Sequence, residues 1–67
     1  MSWTLHVTGA EWGTIPSVDF VATHKSGRRE EFSVSLWPSG WRILARGLTI
    51  PATVRREALK IAKELWT

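Results

Sequence analysis

The sequence predicts an α+β domain: a four-stranded antiparallel β-meander with one C-terminal amphipathic α-helix packed on one face, a two-layer ββββα arrangement. Three observations predict it. Four runs of alternating apolar and polar residues succeed one another along the first two thirds of the chain, and period two marks half-buried strands. The connections between them are short and carry glycine or proline, as antiparallel neighbours need. Past Pro51 the period changes to that of a helix. At 67 residues the chain forms one domain, residues 1–67, with one small core.

The first strand is expected from Trp3 to Thr8, with Trp3, Leu5 and Val7 on one side and Thr4, His6 and Thr8 on the other. Gly9 to Pro16 then reads as an irregular loop anchored by Trp12. The second run, Ser17–Thr23, alternates Val18, Phe20 and Ala22 with Asp19, Val21 and Thr23. The third, Glu31–Trp37, alternates Phe32, Val34 and Leu36 with Glu31, Ser33, Ser35 and Trp37. Side-chain parity fixes the hairpin between them. A three-residue loop, Lys25-Ser26-Gly27, with Gly27 left-handed, sets Phe20 opposite Phe32 and Val18 opposite Val34, whereas a two-residue loop would oppose apolar and polar faces.

The fourth strand is expected from Trp41 to Arg46. Placing Trp41, Ile43 and Ala45 on the core face requires an even loop, either Ser39-Gly40 or Trp37 to Gly40. Gly47 permits a bend, and Leu48-Thr49-Ile50 can continue the strand. The helix is expected from about Ala52 to Leu65. It has the composition of a strong helix former, and Val54, Ala58, Ile61, Ala62 and Leu65 form one stripe, widened by Leu59 and Trp66. Thr53 or Thr49 is the candidate N-cap. Trp66 is expected to seal the edge of the core, as are Trp3 and Trp41 to fill it.

Composition narrows the function. With no cysteine, disulfides, thiolate metal sites and cysteine nucleophiles are excluded, which favours an intracellular, cytoplasmic setting. The N-terminal residues lack the basic and apolar regions of a signal peptide, and no membrane span is expected. The two histidines, His6 and His24, and the scattered acids form no metal-ligand, triad or phosphate-loop spacing. No enzyme, cofactor, metal or small-molecule substrate is therefore expected. The chain contains no asparagine or glutamine, which points to a thermophilic or GC-rich source.

Nine basic against six acidic residues give a net charge of +3, and that favours an acidic partner. The expected function is a small basic module that binds DNA or RNA through the sheet face the helix leaves open. There Arg42 and Arg46, with Arg28 and Arg29 at the hairpin, would neutralise phosphates. Ser33, Ser35 and His6 would hydrogen-bond to the backbone, and Trp37 would stack on a base. An alternative surface is the basic ridge of the helix: Arg56, Lys60 and Lys63 at i, i+4 and i+7, with Arg55 beside them. The order of four strands and a helix is similar in topology to sheet-plus-helix DNA-binding modules, among them single-stranded-DNA-binding transcription coactivators and the arm-binding domains of phage integrases. That likeness matches no diagnostic residue and assigns no site. The competing function is a non-catalytic protein-interaction module or homodimer, joined through Trp37, Val21 and Leu44 or through an edge strand.

Overall fold

The computed structural model describes residues 2–44 and 50–66. Among them are four strands and one helix in the expected order: β1 (Trp3–Glu11), β2 (Ser17–His24), β3 (Arg29–Trp37), β4 (Gly40–Leu44) and α1 (Ala52–Trp66). The strands form one antiparallel sheet in sequential order β1-β2-β3-β4. Among the described residues, no helix is long and apolar enough to cross a membrane.

Both hairpins obey parity. Phe20 pairs with Phe32 and Val18 with Val34, and the connection is the three-residue loop, closed by the Gly27 amide donating to the His24 carbonyl at 2.8 Å. Gly27 has φ 96°, a backbone state that a Cβ penalises. Ser26 ties the same turn down, its amide donating to His24 Nδ1 at 3.2 Å. At the second hairpin Leu36 pairs with Trp41, the register of the four-residue option. One further pair, Trp37 with Gly40, leaves Pro38-Ser39 at the tip. Proline suits the first of the two central turn positions, and Gly40 follows with φ 120°.

β1 runs three residues further than its alternation implies. The register shifts between Val7 and Gly9, so that Val7 pairs with Phe20 and Gly9 with Asp19. One extra residue, Thr8, is absorbed as a bulge, and pairing resumes through Ala10 and Glu11. Gly9 fits the tight place beneath Asp19, whose Oδ2 would lie 3.3 Å from a Cβ there.

The core lies between α1 and one sheet face. Val18, Phe20, Ala22, Phe32 and Val34 from the sheet meet Ile50, Val54, Ala58 and Ala62, with Trp3, Leu5, Trp41, Ile43, Leu59 and Ile61 packed around them. Phe20 and Phe32 stack at 5.4 Å between centroids. Val7, expected on the covered face, is half-exposed instead. Val7 adjoins the point where the register of β1 shifts, and the bulge there bends and twists the strand locally.

Two helix-end expectations need correction. Thr53 is the second helical residue and cannot be the N-cap; the first turn is closed by the Pro51 carbonyl, which accepts from the amides of Val54 and Arg55 at 3.1 and 3.2 Å. Trp66 does not seal the core. It is substantially exposed and packs against Trp12 at 5.6 Å, with ring planes 35° apart. The second proposed cap, Thr49, lies outside the described residues, as do Ala45, Arg46, the bend at Gly47 and the strand continuation at Leu48 and Thr49.

Candidate functional site

The open sheet face is built in rows across the strands. From the hairpin end upward, Thr4, Thr23 and Arg29 form one row; His6, Val21 and Glu31 the next; then Gly9, Asp19 and Ser33; then Glu11, Ser17, Ser35 and Arg42. The strands therefore bring His6, Ser33, Ser35, Arg29 and Arg42 to one face, with Trp37 at its far end. Arg46 and the side chain of Leu44 lie outside the described ones.

Three findings change what this face can do. Its charges are mixed: Arg29 and Arg42 share it with Glu11, Asp19 and Glu31. A polar depression of about 440 Å³ includes Thr8, Asp19, Glu31 and Ser33 in its lining, and two carboxylates there repel phosphate. Two of its hydroxyls, those of Ser33 and Ser35, are also committed or covered. Ser33 Oγ donates to Asp19 Oδ1 at 2.7 Å, and Ser35 is only 3% exposed, so the expected contact from Ser35 to a ligand is not available in this conformation. Ser35 sits between Ser17 and Arg42 across the sheet and between Ser33 and Trp37 along its strand, where a short side chain falls below the surface. Val21, at 5% exposure, presents no apolar area to a second copy for the same reason, flanked as it is by His6 and Glu31.

Trp37 is half-buried, and its indole Nε1 is buried without a hydrogen-bond partner. An unpaired buried donor of this kind carries a desolvation cost of about 1–3 kcal/mol. The hairpin arginines diverge in role: Arg28 Nη2 pairs with Glu30 Oε1 at 3.1 Å, whereas Arg29 extends the sheet-face row.

On the helix, Arg55, Arg56, Lys60 and Lys63 are all exposed, and the first turn holds no acid. Arg55 Nε donates to the Ile50 carbonyl at 3.4 Å, which draws that residue toward the helix start. The ridge of Arg56, Lys60 and Lys63 is thus assembled as its spacing predicts.

An apolar groove lies elsewhere, where the chain turns between β1 and β2, β3 meets β4 and α1 ends. This groove of about 550 Å³ is lined by Gly13, Thr14, Ile15, Pro16, Leu36, Trp37, Pro38 and Trp66. In its lining Ile15 is 40% exposed and Trp66 46%; Trp12, packed on Trp66, is 47% exposed, and Leu65, preceding Trp66 on α1, is 49%. The helix stripe supplies the reason for Leu65: Val54, Ala58 and Ala62 are buried under the sheet, but the stripe continues one turn beyond what the sheet covers. Sequence periodicity assigns Leu65 to the core and cannot show where the sheet ends. An irregular loop carrying Trp12 and Ile15 was the available signal for the other half of the groove.

A scan against family models and searches of curated proteins and of solved structures return no match. Among the described residues, no group of three or more His, Cys, Asp or Glu could hold a metal ion.

Proposed function

We propose that this domain is a small non-catalytic protein-interaction module that works through its apolar end. The observation that carries this reading is the exposure of Ile15 and Trp66 in one groove, with exposed Trp12 packed on Trp66 and exposed Leu65 next to it in the helix. Apolar residues scattered singly need no explanation, but contiguous ones at an exposed rim mark association surfaces. Tryptophan is also among the side chains that dominate the centres of such interfaces. Projecting side chains on both sides of the groove suit a partner surface broad enough to cover them, rather than a small enclosed ligand. Immobilised protein should retain a polypeptide partner that the Trp66→Ser variant releases. Equal retention by both would remove the groove as the working surface.

A second reading, nucleic-acid binding, keeps one specific support: the wholly exposed ridge of Arg56, Lys60 and Lys63 with Arg55 beside it. On this reading the helix, not the sheet, meets the phosphates, because the sheet face carries three carboxylates among its bases. Titration with single-stranded and duplex oligonucleotides across salt tests it. Binding that weakens steeply with salt and is lost in Arg56→Ala and Lys60→Ala favours this second reading; no binding at low salt eliminates it.

A further inference from the structure

We infer that the partner at the apolar end is a second copy of this chain, joined across a two-fold axis with the grooves facing each other. This rests on the reading of that end as the interaction surface. Four features favour a copy of the same chain. The first is area. Two indoles and two aliphatic side chains, each exposed by four to five tenths, present roughly 400 Å² of apolar surface. A stable interface takes roughly 800 Å² from each partner, which is between a fifth and a sixth of the 4573 Å² surface of this chain. The apolar patch supplies about half, as interface centre, and exposed Glu11, Gly13, Thr14 and Pro38 adjoin it as rim.

The second is shape. A two-fold contact needs one patch that carries both a hollow and something to fill it, and here Trp12, half-exposed and packed on Trp66, borders the groove that Ile15, Trp37 and Trp66 line, with exposed Leu65 preceding Trp66 on α1. Each copy then seats its own projecting residues in the groove of the other. The third is charge. A second copy brings the same charges, so an end of single sign would repel itself; Glu11, Lys63 and Glu64 are of mixed sign, while Lys25, Arg28 and Arg29 lie at the opposite end of the strands. The fourth is the free domain itself. α1 contributes three fully buried side chains, two of them alanine, with Leu59 and Ile61 partly buried beside them, so the core is small, and small domains with such cores commonly gain stability by association.

Sedimentation velocity on the intact chain from micromolar to millimolar concentration tests the inference. The expected result is a species of twice the 7.6 kDa chain mass that dissociates on dilution, with a dissociation constant raised about tenfold or more in Leu65→Ser and Trp12→Ser. Arg56→Ala should leave it unchanged. Far-UV circular dichroism verifies that each variant is folded, and Ile15→Thr replaces any that is not. A wild-type chain that stays monomeric throughout overturns the second copy as partner but leaves the capture of a different polypeptide open. A dimer that tolerates all three groove variants overturns the inference, because association then uses another surface, and the capture experiment with Trp66→Ser decides the groove reading separately.

Discussion

Replacing Phe20 by alanine removes the ring at the centre of the layer between sheet and helix. Phe20 is fully buried and stacks on Phe32 with the planes 13° apart, and Val18, Ala22 and Ala58 belong to the same cluster. The sheet backbone cannot collapse into the space without breaking its pairing, so the change should cost about 3–5 kcal/mol, the range for core aromatics. A chain of this length has a total stability of about 3–10 kcal/mol, so most of it disappears. Urea denaturation followed by tryptophan emission measures the loss. Phe20→Leu, which keeps much of the volume, should lose nearer 1 kcal/mol and gives a measurable transition if Phe20→Ala is unfolded. A double-mutant cycle with Phe32→Ala should return a coupling of about 0.5–1.5 kcal/mol. If Phe20→Ala lost less than about 1.5 kcal/mol, the ring would not lie between two layers and the assignment of the covered face would be wrong.

Gly27→Ala should lower stability by about 1–2 kcal/mol, since no atom lies within 4 Å of the added Cβ and the whole effect comes from its φ of 96°; an unchanged thermal midpoint would contradict the turn geometry. Arg28→Ala breaks a solvated ion pair with Glu30 and should change the urea midpoint by less than the equivalent of about 1 kcal/mol. Trp37→Phe deletes the buried, unpartnered N–H, so the lost packing is offset and the net change stays within about 1 kcal/mol; a loss above about 2 kcal/mol would reveal an acceptor.

Strand pairing was legible because the side-chain period of two links every residue on a strand to one face, and a loop of the wrong length inverts that assignment. The opposition of Phe20 to Phe32 follows from that; at the second hairpin parity leaves two even loops, and the structure takes the one that sets Leu36 opposite Trp41. The bulge at Thr8 was not legible: Gly9 resembles a strand terminus, and only the partner strand shows that pairing resumes at Asp19. The burial of Ser35 and Val21 depends on the height of neighbours on two other strands, which no one-dimensional pattern contains. The contact of Trp12 with Trp66 joins the two ends of the chain, and an apolar stripe does not record where its cover stops. The basic ridge, by contrast, depends on spacing within one helix and was readable in full.

The bulge in β1 has a consequence for how the molecule stays separate from its neighbours. β1 is an edge of the sheet, and a straight edge strand of nine residues would present a regular ladder of unpaired amides and carbonyls to any passing strand. At Thr8 the extra residue breaks that regularity near the middle of the strand and increases its local twist, so an incoming chain could match only one half at a time. The β1 edge is guarded by its geometry, so along it side-chain contact, not an added backbone ladder, is the route left open for association.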